Sequence, residues 1–323
     1  MYSLCTMPKL LPQNTDHPRA LRPFLDIKLV VADLDGSLIP HGDSKVWERL
    51  VSLSRSLGRK RNPVSFTIAT GRTLTGARTL IGNLELPRNT LVILYNGGLI
   101  VENQTFEIQH NDSFSRNTIA QVLNIALQYH TYVLAYIVEG PSLGFEARPY
   151  EYILGWSKAK RPTHDFNRIP INWETQLPHG KDIKPSAILV DTSQDKEKEK
   201  EIERRLEALR DVAMTRSGTA HYLEIRPEGS NKGRALRRIA KSLQLPLMSI
   251  LALGDNDNDA EMLKAAGIGV AIAGASERAL SQADYMCRYD AAYGAVEVLS
   301  ILSDAKRLLS NPVMSQLTQR KRR

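Results

Sequence analysis

Short apolar runs recur along the chain, and each of them ends at a small group of polar residues. Four runs have this form: residues 27–32, 64–69, 91–95 and 250–253. Runs of this length with polar ends predict buried strands of a parallel sheet. Helical patterns lie between them, with apolar side chains three and four residues apart around Trp47 and Leu236. The alternation predicts a doubly wound, Rossmann-like α/β core whose ligands bind at the carboxyl ends of the strands.

The middle of the chain has a different pattern. Helices are predicted from about Asn111 and at residues 195–209, because their apolar positions share one face. Residues 157–180 show no clear pattern and are predicted to form a long loop. Five segments are predicted as strands: residues 131–138, 144–148, 186–191, 212–216 and 220–226. This mixture predicts an α+β domain.

The length of the chain, 323 residues, agrees with two domains, since a domain usually holds roughly 100–200 residues. We predict an α/β core of residues 26–111 and 227–310, interrupted by an α+β insert of residues 112–226. Residues 1–25 contain four prolines and no periodicity, which predicts a loosely attached extension. Residues 311–323 form a basic tail.

Composition argues against several classes of protein. The net charge is +8, but the last four residues supply four of these charges, and only 6% of residues are aromatic, so we expect no nucleic-acid partner. Cys5 and Cys287 lie too far apart in sequence to suggest a zinc site or a disulfide framework. No apolar run approaches the ~18 residues of a membrane span, and none near the start suits a signal peptide. We therefore expect a cytoplasmic protein without a membrane partner.

Two acidic clusters follow predicted strands. Asp33 and Asp35 come directly after the first strand, although an Asp-Gly pair is equally typical of a plain turn. Residues 254–259 follow a later strand, where acidic side chains could also cap the next helix. This second cluster begins like a calcium loop, but Ala260 and Ala266 occupy positions that require glycine and glutamate. Together, the clusters predict a site of oxygen ligands suited to Mg²⁺ and a substrate phosphate.

Five short motifs follow one another in an order typical of one family. They are Asp-x-Asp-Gly at 33–36, Thr-Gly-Arg at 70–72, Asn-Gly-Gly at 96–98, Lys-Gly at 232–233 and Gly-Asp-x-x-Asn-Asp at 254–259. The set resembles the haloacid dehalogenase (HAD) superfamily, and within it the Cof-type sugar-phosphate phosphatases with a large α+β cap. The resemblance implies Mg²⁺-dependent hydrolysis of a small phosphorylated metabolite, with a sugar phosphate as the expected substrate.

The resemblance also implies roles for the acidic residues. Asp33 is expected to be the nucleophile that forms an aspartyl-phosphate, and Asp35 the general acid and base. Mg²⁺ is expected to bind the Asp33 carboxylate, the Asp35 backbone carbonyl and the Asp255 carboxylate. Asn258 and Asp259 are expected to support the ion from its outer shell.

A second set of residues is expected to bind the phosphate and the substrate. The resemblance implies that Thr70 provides a hydroxyl donor and Lys232 a positive charge for the phosphate. By themselves, a strand-end hydroxyl and a lysine near a helix start would indicate no function. Further substrate contacts are expected from four residues: Gly71, Arg72, Asn96 and Asn258. Ser37 replaces the commoner threonine after Asp-Gly and keeps its hydroxyl.

Other functions are compatible with these residues. The insert matches the cap of this branch in position and character, which implies that it selects the substrate. A phosphomutase of hexose phosphates would use the same aspartates, and a binding protein could hold a phosphorylated ligand without turnover. A dehalogenase fits less well, because its chemistry does not need a second aspartate at Asp35. The sequence identifies neither the substrate nor the oligomeric state.

Overall fold

The computed structural model describes residues 7–13, 18–40, 42–140, 149–158, 161–165, 167–178, 183–192, 196–216 and 222–310. The chain divides into two compact units. The core unit comprises Met1–Thr70, Ile81–Val92 and Asn231–Arg323, and the insert unit comprises Gly71–Leu80 and Ile93–Ser230. The domain boundaries predicted near residues 112 and 226 stay predictions, and the predicted basic tail lies outside the described residues.

Both units contain strands and helices. The strands are β1 Lys9–Leu10, β2 Leu29–Ala32, β3 Ser65–Ile68, β4 Leu91–Leu94, β5 Leu99–Glu102, β6 Ile108–Asn111, β7 Tyr132–Glu139, β8 Tyr150–Ser157, β9 Ile171–Trp173, β10 Pro185–Asp191, β11 Val212–Arg216, β12 Tyr222–Pro227, β13 Ile250–Gly254, β14 Ile268–Ala271 and β15 Tyr285–Met286. The helices are α1 Pro18–Leu21, α2 Ser44–Gly58, α3 Leu74–Asn83, α4 Arg116–Ala126, α5 Lys196–Glu207, α6 Lys232–Ser242, α7 Ala260–Ala265, α8 Glu277–Gln282 and α9 Ala291–Ser310.

The core unit is built on a parallel sheet with the strand order β1-β15-β14-β13-β2-β3. All four residues of β2 are buried, and the strand pairs in parallel with β13 on one side and β3 on the other. In this register Ala32 lies between Leu253 and Ile68, so the chain leaves all three strands at one edge of the sheet. The predicted α/β fold class is confirmed, and three of the predicted parallel strands are present.

The fourth run, β4, belongs to a different sheet from the one predicted. It joins β5 and β6 in a separate three-stranded sheet, in which β5 and β6 are antiparallel. Only four residues separate the end of β4 from the start of β5, so a partner close in sequence was available. Because an apolar run shows that a strand is buried but does not show which strand it pairs with, the pattern could not predict this.

The insert unit contains a six-stranded sheet with the order β11-β12-β10-β7-β8-β9. Its pairs are antiparallel except for β8 and β9, and apolar residues of α4 and α5 pack with those of the sheet in one cluster. This arrangement confirms the predicted α+β character. The first predicted helix begins later than expected, because Ser115 caps it and accepts a hydrogen bond from the N–H of Thr118.

Some strands of the insert unit differ from the sequence prediction. β8 was not predicted, and β9 lies inside residues 157–180, which were predicted to form a loop. The strand predicted at residues 144–148 lies outside the described residues. β9 is short and gains its stability from pairing with β8, and such a partner leaves no signal in the local pattern.

The described part of residues 1–25 is packed, so the prediction of a loosely attached extension is wrong there. β1 pairs with β15, and Leu11, Leu21 and Phe24 are fully buried. Lys306 of α9 is buried as well, and its ammonium group donates to the backbone carbonyls of Leu25, in this segment, and of Ile27, just after it. In the part of the chain that the structure covers, no helix has the length and apolar character needed to cross a bilayer.

Candidate active site

The central carboxylate of the site belongs to Asp33, the first residue after β2. Its backbone N–H donates to the carbonyl of Leu253 over 2.9 Å, which fixes the residue at the carboxyl end of β2. Its side chain is 6% exposed. The ammonium group of Lys232 donates to Asp33 Oδ1 over 2.5 Å and to Asp259 Oδ1 over 2.7 Å. One fully buried lysine therefore binds two buried carboxylates.

The position of Lys232 follows from the start of α6. Asn231 caps this helix, and its side chain accepts a hydrogen bond from the N–H of Arg234 over 2.8 Å. Burial alone would lower the pKa of Lys232, but the carboxylates of Asp259 and Asp33 outweigh burial and hold the pKa above its ordinary value. The lysine is therefore charged at neutral pH.

Burial has the opposite effect on the acidic residues. It raises the pKa of Asp33 well above the ordinary value, Lys232 opposes this rise, and the neighbouring carboxylates of Asp259 and Asp255 add to it. Burial also raises the pKa of Asp255. Three carboxylates thus lie near one buried ammonium group, which donates to two of them, and a further cation would favour their ionised forms.

Asp259 closes the acidic loop that follows β13. While Asp259 Oδ1 accepts from Lys232, Oδ2 accepts from the backbone N–H groups of Asp255 and Asn256 over 3.0 Å each. The loop is tight, because a Cβ atom at Gly254 would lie 2.5 Å from Cβ of Asp259. Asp259 therefore holds both the loop and the lysine in place.

The turn after Asp33 lies directly against Asp255. The hydroxyl of Ser37 donates to Asp255 Oδ1 over 2.8 Å, and Ser37 is fully buried. Gly36 has a φ of +82°, and a Cβ atom there would lie 2.3 Å from Asp255 Oδ2. The motif sequence gave no indication of this contact between Ser37 and Asp255. Asp35 is exposed on the same turn.

The carboxylates could hold a cation together. Asp33, Asp255 and Asp259 each offer an oxygen atom, and these atoms lie within 4.8 Å of one another. Carboxylate oxygens are the ligands that Mg²⁺ prefers, so the donor set fits this ion. Asn258 lies beside them in the loop, in the single helical turn of Asp257–Asp259.

The remaining predicted residues lie at the ends of β3 and β4. Thr70 is fully buried in the core unit and follows Ala69, whose N–H donates to the carbonyl of Ala32 next to Asp33. In the insert unit, the backbone carbonyl of Arg72 accepts a hydrogen bond of 3.1 Å from the N–H of Tyr95.

Gly71 and Asn96 also meet in the insert unit. A Cβ atom at Gly71 would lie 2.9 Å from Asn96 Nδ2, so the amide of Asn96 lies against the glycine. Asn96 Nδ2 donates to both carboxylate oxygens of Glu224, over 3.0 and 3.1 Å. Glu224 belongs to none of the five sequence motifs and lies 128 positions away from Asn96.

Known proteins are similar to this chain over most of its length. The chain is 26% identical over 290 residues to YxeH of Bacillus subtilis (strain 168), a match that covers 86% of this chain and 99% of YxeH. It is 27% identical over 268 residues to the 5-amino-6-(5-phospho-D-ribitylamino)uracil phosphatase YcsE of the same organism, with 82% of this chain and 91% of YcsE covered.

A solved structure and a family model agree with these relatives. A haloacid dehalogenase-like hydrolase from Bacteroides thetaiotaomicron superposes with a TM-score of 0.66 at 22% identity, covering 85% of this chain and 98% of that structure, so it shows a shared fold. The model of the haloacid dehalogenase-like hydrolases matches residues 30–299. With its buried Asp33 and Lys232 and the acidic loop after β13, the chain belongs to the haloacid dehalogenase-like hydrolase family.

Proposed function

We propose that this protein hydrolyses the phosphate monoester of a small metabolite through an aspartyl-phosphate on Asp33. The observation that carries the proposal is the buried ammonium group of Lys232, bonded to Asp33 and Asp259. The predicted enzyme class, a HAD-type phosphatase, is confirmed by the family match and by the phosphatase YcsE among the relatives.

The proposed reaction has two phosphoryl transfers. In the first, a carboxylate oxygen of Asp33 forms a bond to phosphorus while the bond to the leaving oxygen breaks, and Asp35 gives its proton to that oxygen. In the second, Asp35 takes a proton from water as the water oxygen attacks phosphorus. Inorganic phosphate then leaves, and Asp33 is free again. Since Lys232 binds Asp33 Oδ1, Oδ2 is the oxygen that attacks.

The phosphate needs positive charge and hydrogen-bond donors close to Asp33. We assign these to Lys232 and to the hydroxyl of Thr70, with Gly71, Arg72 and Asn258 as further contacts of the substrate. Lys232 lowers the repulsion between the phosphate and the Asp33 carboxylate, because it remains charged at neutral pH. These roles are consistent with the burial of both side chains.

The proposed cofactor is Mg²⁺. The Asp33 carboxylate, the Asp35 backbone carbonyl and the Asp255 carboxylate would hold it, and the bound ion would neutralise charge on the transferred phosphoryl group. Both oxygens of Asp259 already accept hydrogen bonds from Lys232 and the loop, which favours a supporting role for Asp259. Asn258 would support the same loop.

We propose that the substrate is a sugar phosphate or a related polyhydroxylated phosphate, and that the protein acts on it in the cytoplasm. The name of YcsE gives a phosphoribitylamino uracil as the substrate of that relative, which supports a small metabolite as the substrate class. We further propose that residues of the insert unit select among such metabolites.

Phosphate release from a panel of compounds tests the proposal. The panel contains sugar phosphates, polyol phosphates, nucleotides and p-nitrophenyl phosphate, each with Mg²⁺ and with excess chelator. We expect release with Mg²⁺, none with chelator, and loss of turnover in Asp33→Asn. Full turnover in chelator would contradict the metal assignment, and normal rates in Asp33→Asn would contradict the covalent mechanism. Transfer of phosphate within a hexose phosphate, without release, would instead indicate a mutase.

A further inference from the structure

The turn after β4 holds two consecutive residues in an unusual backbone conformation. Tyr95 has a φ of 51° and Asn96 a φ of 52°, the left-handed region that residues with a side chain seldom adopt. Such residues cost free energy and persist where the surrounding structure fixes them, often at functional sites. The N–H of Tyr95 is fixed by the carbonyl of Arg72. The side chain of Asn96 is fixed by a different contact.

That contact is with Glu224 on β12. Asn96 is 4% exposed, and its Nδ2 donates to both oxygens of the Glu224 carboxylate. Arg226, two residues along the same strand, lies with its Nε 3.4 Å from Glu224 Oε1 and balances the charge. The Asn96 amide, which the sequence predicted to contact substrate, therefore directs its donor group to a carboxylate of the protein.

The other side of the Asn96 amide faces Gly71. A Cβ atom at Gly71 would lie 2.9 Å from Asn96 Nδ2, closer than Cβ atoms approach other atoms in proteins, and 3.0 Å from Oδ1, which is a tight contact. Gly71 is the residue after Thr70, whose hydroxyl we assign to the phosphate. Within the insert unit, contacts therefore run from Glu224 through Asn96 to Gly71, which follows Thr70 in the sequence.

We propose that Glu224 is a positioning residue, which holds Asn96 against Gly71 and thereby fixes the backbone next to Thr70. The inference rests on the proposed phosphatase function, because it concerns the binding of the substrate phosphate. Glu224 acts through Asn96 and does not touch the reacting atoms. Without its carboxylate, the Asn96 amide loses two hydrogen bonds that help to fix the left-handed turn.

Exchanging the amide of Asn96 and the carboxylate of Glu224 tests their contact directly. In Asn96→Asp, two carboxylates face each other, and kcat/KM for p-nitrophenyl phosphate should fall roughly 10- to 100-fold, mainly through a higher KM. In Glu224→Gln, one acceptor oxygen remains, so the fall should be smaller. The double variant restores a pair in which the new amide donates to the new carboxylate, and its kcat/KM should exceed that of Asn96→Asp.

Two further measurements make the result decisive. Glu228→Gln removes the same charge from an exposed position on the same segment, and it should match the wild type. Binding of inorganic phosphate, measured by calorimetry, should weaken in Asn96→Asp and recover in the double variant, which tests the pair even if no ester is turned over. The inference is wrong if the double variant is no better than Asn96→Asp in either assay. It is also wrong if the single variants lower only the melting temperature.

The wild type separates this inference from the proposed function. If the wild type releases no phosphate from any ester, the proposed function fails, and the calorimetric comparison still decides the role of Glu224. If the wild type is active and the single variants match it, the proposed function stands and the positioning role is rejected.

Discussion

Replacing Lys232 with methionine would remove the only positive charge that the described structure places on Asp33 and Asp259. Methionine has a similar length and shape, so the change removes the charge and leaves most of the packing. Asp33 and Asp259 would then be buried carboxylates without a cationic partner. The structure predicts a loss of stability in addition to the loss of activity.

The size of the loss follows from the burial of all three groups. Removing one partner of a buried ion pair costs about 3–5 kcal/mol, because the other charge stays buried and unpaired. Lys232→Met leaves two buried carboxylates, those of Asp33 and Asp259, without a cation, so we expect a loss of at least about 3 kcal/mol. A loss of about 4 kcal/mol corresponds to a fall in Tm of about 6 °C for a chain of 323 residues, because the unfolding entropy grows with chain length.

The loss should depend on pH. Burial already raises the pKa of Asp33, and removing Lys232 removes the group that opposes this rise. A carboxyl with a raised pKa in the folded state takes up a proton as the pH falls through that pKa, and protonation stabilises the folded state relative to its ionised form. The loss in Lys232→Met should therefore be larger at about pH 8 than at about pH 5.

Urea unfolding of the wild type and of Lys232→Met at both pH values measures this difference. Lys306→Met is the matched control, because Lys306 is also buried but donates to the backbone carbonyls of Leu25 and Ile27, and burial lowers its pKa more than the nearby carboxylate of Asp26 raises it. Its loss should not shrink in the same way as the pH falls. A loss in Lys232→Met below about 1 kcal/mol, or one equal at both pH values, would refute the buried ion-pair argument.

Two further changes test other contacts of the core unit. Ser37→Ala removes the donor to Asp255 Oδ1 and should raise the Mg²⁺ concentration needed for half-maximal activity several-fold, whereas Ser37→Thr should keep it near the wild-type value. An unchanged Mg²⁺ requirement in Ser37→Ala would show that this bond does not orient Asp255. Gly233→Ala places a Cβ atom 2.2 Å from the carbonyl oxygen of Glu261, so urea unfolding should show a loss of about 1–3 kcal/mol. Wild-type stability would mean that α6 and α7 can separate without cost.

The sequence predicted the core sheet because its strands are short, apolar and end at polar motifs. β2, β3 and β13 all have this form, and each pairs with a parallel neighbour buried in the same way. Where pairing depends on a partner distant in sequence, the pattern failed. β1 is two residues long and exposed, and only its pairing with β15 marks it as part of the sheet.

In the site as well, residues within motifs could be predicted and contacts between distant motifs could not. Asp33, Asp255 and Lys232 could be predicted because each belongs to a motif that follows a strand or begins a helix. The contacts between motifs could not be predicted in this way. Ser37 and Asp255 are 218 positions apart, and Asn96 and Glu224 are 128 positions apart. Such pairs become visible only when the fold brings their backbones together.

The most direct test of the central claim is detection of a phosphoryl group on Asp33. Asp35→Asn should slow the hydrolysis of the intermediate more than its formation when the leaving group is activated, as in p-nitrophenyl phosphate. This variant is mixed with p-nitrophenyl phosphate and Mg²⁺, quenched with acid within the first turnover, and digested for mass spectrometry. We predict that the peptide containing Asp33 gains the mass of one phosphoryl group and that Asp33→Asn abolishes this gain. Turnover without any phosphorylated peptide, or a phosphoryl group on a different residue, would contradict the account.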